Sequence, residues 1–360
     1  MNFFKTFLAC VLAFFVGSFV SSFMWFFMVI VMALSMDTNT VSVRDGSILK
    51  IDLSEQIVDS PASDPLAGFD FLSMQSTKKL PLMKALRAIE AAKDDKRIEG
   101  IYLRMNGGGG VEGSALLEEL REGIVDFKQS GKFVVAYDET YSQGRYYLAS
   151  AADSIYLQPQ GGMDWMGLSS KVMFFKGLFD KLDVRAEVFR PTACRYKSAV
   201  EPYILDKMSA ANREQMQQLV NSLWKTIAGS VAESRGIELA ELNRLADNLA
   251  VTLPEEALAK HFVDGLLYED QMDDVFASLG VEAGKNGDFR FVSLGDYASQ
   301  LSASGSSSAS KIAIVYAEGE IVDGEASAGS IGGNSLAREL AEVREDDSIE
   351  AVVLRVNSPG

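Results

Sequence analysis

The densest run of reactive side chains is Arg190-Pro191-Thr192-Ala193-Cys194-Arg195-Tyr196-Lys197-Ser198-Ala199-Val200-Glu201-Pro202-Tyr203. A lysine in such a run is ordinarily a solvated surface charge. Held away from water, its ammonium form is disfavoured and the amine moves toward neutrality. It then takes a proton from a serine hydroxyl, and Ser-Lys pairs do this without histidine. The chain has one histidine, His261, in Ala259-Lys260-His261-Phe262-Val263-Asp264-Gly265 beside a turn signal. It reads as an ordinary surface histidine. A Ser-His-Asp triad needs that one imidazole well placed, and zinc sites usually take several His or Cys ligands. The two cysteines, Cys10 and Cys194, are far apart and form neither a metal spacing nor an expected disulfide. No metal and no cofactor is expected.

Gly107-Gly108-Gly109-Gly110 follows a strand-like run and invites a nucleotide reading. It lacks the Lys-Ser/Thr of a P-loop and the context of a dinucleotide fingerprint. Two other readings stand beside it: a tight strand-to-helix turn with close backbone approach, and backbone N–H groups that hold an oxyanion. Ser358-Pro359-Gly360 suits the second role in the later part of the chain.

The elements that position these residues follow from periodicity. Ser47 to Leu53, Ile98 to Met105, Lys132 to Tyr137, Ser154 to Leu157 and Val184 to Phe189 read as strands. Leu82 to Ala92, Gly113 to Gln129, Tyr146 to Ala152 and Ser209 to Arg235 read as helices, with Ser209 an N-cap. Strands alternating with helices predict an α/β fold with a mostly parallel sheet. Lys197 then lies at a strand's end, before the long helix.

The chain also resembles itself. Ile98-Glu99-Gly100-Ile101-Tyr102-Leu103-Arg104-Met105-Asn106 recurs as Ile349-Glu350-Ala351-Val352-Val353-Leu354-Arg355-Val356-Asn357, and Ile57-Val58-Asp59 as Ile321-Val322-Asp323. Two matches in the same order indicate a duplication. The expected organisation is an anchor at 1–46, a first copy at 47–298, a Ser-rich linker at 299–310 and a second copy at 311–360. The second copy reaches Gly360 directly after Asn357-Ser358-Pro359, where the first copy continues far further. The chain is therefore expected to be a fragment.

Composition narrows the partners. Asp and Glu total 50 against 34 Lys and Arg, a formal charge of −16, which repels phosphate backbones; nucleic acid is not an expected partner. Thr6 to Met36 carries no charged residue and is long enough for a tilted membrane helix. Its apolar core exceeds that of a cleaved signal peptide, and no Ala-x-Ala-like site follows. With Lys5 before it and Asp37 after it, the positive-inside rule predicts a cytoplasmic N-terminus and an exported remainder.

Three segments together resemble the long form of the signal peptide peptidase family SppA, or protease IV. They are Tyr196-Lys197-Ser198-Ala199-Val200-Glu201-Pro202, Tyr141-Ser142-Gln143-Gly144-Arg145-Tyr146-Tyr147-Leu148-Ala149-Ser150 and Leu354-Arg355-Val356-Asn357-Ser358-Pro359-Gly360. The resemblance spans residues 47–360, and the anchor matches as well. It implies tandem ClpP/crotonase-like repeats preceded by one transmembrane helix. It also implies a serine peptidase of the bacterial inner membrane, catalytic on the periplasmic side, that degrades cleaved, hydrophobic signal peptides as a ring-like homo-oligomer. Lys197 maps to the general base. The nucleophilic serine of the family opens a Ser-Gly-Gly-Tyr motif in the second repeat, and its first-repeat counterpart here is Gln143-Gly144-Arg145-Tyr146, where glutamine cannot attack a carbonyl. Ser142 and Ser198 are then decoys, the true serine is expected beyond Gly360, and this piece alone is expected to be inactive. One departure is Ala193-Cys194-Arg195, where the family pattern has a glycine at or beside Cys194. A water-excluded Lys197 is expected to titrate well below the ordinary lysine value of about 10.4. The rival functions are a crotonase-like acyl-CoA enzyme, disfavoured by an exported topology, and a non-catalytic membrane scaffold.

Overall fold

The structure is a computed structural model, and it describes residues 2–35, 43–60, 69–70, 75–76, 78–190, 193–302, 310–327 and 329–360. The chain divides into two compact units, Met1–Ser42 and Val43–Gly360. The first holds helix α1, Asn2–Ser35. Its Phe3–Met28 portion has a mean hydropathy of 2.2 and is long and apolar enough to cross a membrane. Apolar side chains surround it on all sides, with no polar face of the kind a surface helix carries.

The second unit is built on a parallel sheet. In chain order its elements are β1 (Ser47–Ile51), α2 (Leu82–Asp94), β2 (Ile98–Leu103), α3 (Ser114–Phe127), β3 (Phe133–Tyr141), α4 (Gln143–Ala149), β4 (Ser154–Met163), α5 (Ala210–Arg235), β5 (Gly265–Leu266) and β6 (Arg290–Ser293). The strands lie in the order β6-β1-β2-β3-β4-β5 with every neighbour parallel. Parallel neighbours need crossovers, and helices that supply them cover the faces and force apolar strands.

Side chains alternate across the sheet with period two. Leu49, Ile101, Leu103, Val134 and Ala136 join α2 and α3 in the larger core through Ala85, Ala88, Ile89, Leu120, Ile124 and Phe127. Ile48, Tyr102, Val135 and Tyr137 point the other way and pack with Met272, Phe276 and Val281. Truncating a fully buried leucine such as Leu120 to alanine costs about 2–5 kcal/mol in such a core. Val43 is buried in the same core, so the compact unit starts inside the stretch read as anchor.

Elements at 311–357 follow those at 47–103. Strand β7 (Lys311–Glu318), helix α6 (Gly333–Glu345) and strand β8 (Ile349–Asn357) match β1, α2 and β2. Helices α2 and α6 each have 13 residues. Strand β1 sets Ser47 opposite Ile98 and then Ile48 opposite Gly100; β7 sets Lys311 opposite Ile349 and then Ile312 opposite Ala351. Both pairs thus shift register at the same step. A short parallel pair accompanies each, Gln56–Val58 with Lys79–Pro81 and Glu320–Val322 with Ser330–Gly332.

Three sequence readings change. Val184 to Phe189 is not a strand: the segment has no ladder partner among the described residues, and Phe189 is 94% exposed. Apolar alternation supplies a strand-like surface, but a strand exists only where another backbone pairs with it. The helix read from Tyr146 starts earlier, at Gln143, and ends at Ala149. Helix Leu294–Ser302 runs into the stretch read as linker, where Tyr297 and Ala298 are buried, and residues 303–309 lie outside those described.

Candidate active site

Between β4 and α5 the chain makes a long excursion that includes helix Lys176–Lys181 and the short helix Glu201–Ile204. Lys197 stands on this excursion. Its N–H donates to the Cys194 carbonyl at 3.2 Å, and its own carbonyl accepts from Arg190 Nη1 at 3.0 Å. The side chain is exposed, and the amino group makes no hydrogen bond or ion pair among the described residues. The apolar enclosure expected around Lys197 is therefore not formed by them. The reason is local: the described part of the excursion pairs with no strand of the sheet, and the two residues before Lys197 are held by polar contacts. Arg195 pairs with Glu214 at 3.0 Å and lies over the Tyr196 ring at 5.1 Å, while Tyr196 Oη donates to Glu214 at 3.3 Å.

The glycine loop sits elsewhere, in a cleft of about 310 Å³ lined by Leu53, Gly107 to Val111, Leu117, Ser142, Gly144, Arg145 and Leu148. Lys197 is not among the lining residues. The loop is a close-approach turn. A Cβ on Gly107 would collide with the backbone of Ser54 and Leu53, and one on Gly109 would lie 2.6 Å from the Gln56 nitrogen. Its amides are mostly spent: Gly107 N–H donates to the Asp52 carbonyl at 2.8 Å, and Gly109 and Gly110 donate to the Leu53 carbonyl at 2.9 and 3.4 Å. That leaves no adjacent pair of free donors, so the oxyanion reading fails for this loop. At the second location, Gly360 N–H donates to Ser358 Oγ at 3.0 Å and the Gly360 carbonyl accepts from Ile321 at 3.1 Å.

Gln143 occupies the first turn of α4 and works as a clamp. Its Oε1 accepts the N–H groups of Met166 and Gly167, each at 3.1 Å, and its Nε2 donates to the Gly167 carbonyl at 3.1 Å. Ser142 precedes the helix and gives its carbonyl to Tyr146 N–H at 2.8 Å. Ser198 gives its carbonyl to Glu201 N–H at 3.0 Å. His261 takes a left-handed backbone, φ 62°, and its carbonyl accepts from Arg235.

A charged cluster beneath the sheet's end escaped the sequence reading. Arg104 is 1% exposed; Nη1 meets Asp138 at 3.0 Å, Nη2 meets Glu139 at 3.0 Å, and Nε and Nη2 meet Glu269 at 3.1 and 3.0 Å. Asp138 is 2% exposed, and Arg145 reaches its other oxygen at 3.7 Å. Desolvation pushes the Asp138 carboxyl above its usual range, against the pull of the Glu139 N–H, Arg104 and Arg145. Arg104 belongs to the repeated Leu-Arg-x-Asn word, and that was the available signal. Its counterpart, Arg355, is 18% exposed at the side chain and pairs outside its own strand pair: Nε with Asp59 at 2.8 Å, Nη1 and Nη2 with Glu119 at 3.1 and 2.9 Å.

Residues 126–282 match peptidase family S49. A protein named "Protease 4" from Haemophilus influenzae is 36% identical over 296 residues, covering 79% of this chain and 47% of that protein. Residues 126–282 thus form a segment of the peptidase S49 type. A "Protease 4" from Salmonella typhi is 33% identical over 341 residues, with 91% of this chain and 54% of that protein covered. The "Serine protease SPPA, chloroplastic" of Arabidopsis thaliana is 27% identical over 330 residues, 88% and 45% respectively. The chain thus spans about half the length of the curated relatives it matches. The S49 segment runs from inside α3 past β5, so it encloses Gln143, the whole Lys197 excursion and α5. Elements β7 to β8 lie outside it.

Proposed function

We propose that the chain supplies the base-bearing part of a membrane-anchored serine endopeptidase of the Ser/Lys type, acting on apolar peptides such as cleaved signal peptides. One observation carries the reading. The S49 segment contains Lys197 within Tyr-Lys-Ser-Ala-Val-Glu-Pro, whereas the position where the family resemblance puts a serine holds Gln143, engaged in three backbone hydrogen bonds. The base is present in this part and the nucleophile is not. The nucleophile is then a serine on the second copy, at the counterpart of Gln143. The shared strand registers and the shared register shift support a duplication that would create such a counterpart.

The chemistry needs no cofactor. Neutral Lys197 Nζ takes the proton of the serine hydroxyl as Oγ attacks the peptide carbonyl carbon. Backbone N–H groups receive the developing oxyanion, and Nζ–H then passes the proton to the leaving amine. Water repeats the sequence on the acyl-enzyme. The amine is neutral enough only when covered. Tyr196, Phe189, Tyr203 and Met173 are exposed on the same excursion and offer an apolar surface for that cover. The nucleophile-bearing copy, or a neighbouring subunit of a homo-oligomer, is its proposed source. Helix α1 is proposed as the membrane span, with Lys5 holding the N-terminus in the cytoplasm and the peptidase part on the periplasmic side of a bacterial inner membrane. The test is cleavage of a signal-peptide-like substrate by the full-length protein carrying Lys197→Ala. Cleavage is expected to vanish, and a wild-type rate refutes the assignment.

A further inference from the structure

Glu201 has left the surface on a segment otherwise largely in solvent, being 2% exposed. Burying a carboxylate is costly unless it is paired and hydrogen-bonded. Its Oε1 accepts Ser209 Oγ–H at 2.6 Å, and its Oε2 accepts Ser209 N–H at 3.1 Å and Asn212 Nδ2–H at 2.9 Å. Asn212 is itself buried. Ser209 is the N-cap of the 26-residue helix α5 and also accepts Asn212 N–H, at 3.1 Å. On its other side, Arg190 Nη1 lies 4.0 Å from Glu201 Oε1 and donates to the Lys197 carbonyl at 3.0 Å. Desolvation pushes the Glu201 carboxyl up, but the hydrogen bonds from Ser209 and Asn212, with Arg190 beside them, outweigh it and hold the carboxyl below its usual range.

These contacts form one line of support. It starts at the cap of the longest helix in the second unit, passes through a buried carboxylate to a guanidinium, and ends on the backbone of Lys197. Nothing else among the described side chains grips that residue. We infer that Glu201 is a positioning residue for Lys197, docking the base-bearing loop on the N-terminus of α5. The inference rests on Lys197 being the base. It makes Glu201 more than a motif letter: the loop's place is set by a helix cap eight residues downstream of Glu201 rather than by a strand end.

Glu201→Gln tests it with little change of shape. The new amide turns N–H groups toward a site already filled with Ser209 and Asn212 donors, so the dock loosens. In the full-length protein with an apolar peptide substrate, kcat is expected to fall roughly 10–100-fold, as for a misplacement of about 1 Å, with KM little changed. Amide exchange across 194–205 should quicken at the same time. A wild-type kcat overturns the inference, and so does a kcat loss with wild-type exchange. If Glu201→Gln does not fold, Ser209→Ala removes one donor and should lower kcat and protection in the same direction; no change overturns the inference. Full activity of Lys197→Ala sinks the base reading alone. Exchange then decides the docking claim: faster exchange in Glu201→Gln upholds it, and wild-type exchange overturns it.

Discussion

Replacing Arg104 with methionine probes the buried cluster that neither periodicity nor motif reading placed. The side chain has similar length and packs as well against Tyr137, over whose ring the guanidinium now sits at 5.2 Å. The change therefore removes charge rather than volume. Asp138 keeps the Glu139 N–H at 2.9 Å and, as a cation among the described residues, Arg145 at 3.7 Å. Breaking a buried pair by deleting one partner costs about 3–5 kcal/mol, because the remaining charge stays buried. Glu139 and Glu269 are both more than half exposed, so their lost pairing adds at most ~1 kcal/mol. The expected loss is about 3–5 kcal/mol at pH 7.5, read from urea denaturation followed by the fluorescence of buried Trp165. Its pH dependence has a definite sign. Without Arg104 the Asp138 carboxyl rises further above the unfolded value of about 3.9, so the folded variant binds a proton more tightly than the unfolded chain. The variant's deficit is then full above the folded pKa and shrinks as pH falls through it. Arg355→Met, with Arg355 partly exposed and Glu119 more so, should cost less, on the order of 1–2 kcal/mol. A deficit below about 1 kcal/mol for Arg104→Met, or one that grows toward pH 5, refutes the reasoning.

Two further outcomes follow from local geometry. Asp95 is held down to about 2, chiefly by the Arg97 guanidinium, despite desolvation, with the Arg97 N–H and Tyr297 hydroxyl assisting. Its stabilisation is present above the unfolded value of about 3.9 and is lost as pH falls toward 2, so Asp95→Asn should be less stable by ~1 kcal/mol at pH 7, after allowance for solvent screening, and converge on wild type in acid. Urea midpoints at several pH values check this, and a pH-independent gap contradicts it. Gly109→Ala forces a Cβ to within 2.6 Å of backbone and should cost about 1–3 kcal/mol, whereas a Cβ at Gly108 meets open space and Gly108→Ala should be near neutral. Equal thermal midpoints for the two variants contradict the close-approach account of the loop.

Much of the framework was legible because it depends on neighbours in sequence. Ile98 to Met105 and Lys132 to Tyr137 read as strands, and the crossover helices between strands announced a parallel sheet. The repeated Leu-Arg-x-Asn word pointed to a duplication; the register shift common to the two strand pairs was not legible there. What failed depended on distant partners. Val184 to Phe189 has the alternation of a strand and no backbone to pair with. Lys197 was recognisable by its motif, yet its surroundings were not, because enclosure of an amine is a property of what packs over it. The role of Gln143 is likewise invisible locally, since its partners lie at Met166 and Gly167 across β4. Glu201 stood in the sequence only as part of a motif; the placement of Ser209 and Asn212 reveals a buried dock.

The clamp made by Gln143 also bears on what a change at that position would do. A glutamine reaches two amide donors and one carbonyl on the far turn. A serine at the same place is too short to span that gap, so restoring a hydroxyl there would release the Met166–Gly167 turn at the same stroke. Under the duplicated reading, one substitution both abolished a reactive group and bound the first copy's own fold more tightly. A return to serine there would then need a second change to hold the Met166–Gly167 turn, so under that reading the step is hard to reverse.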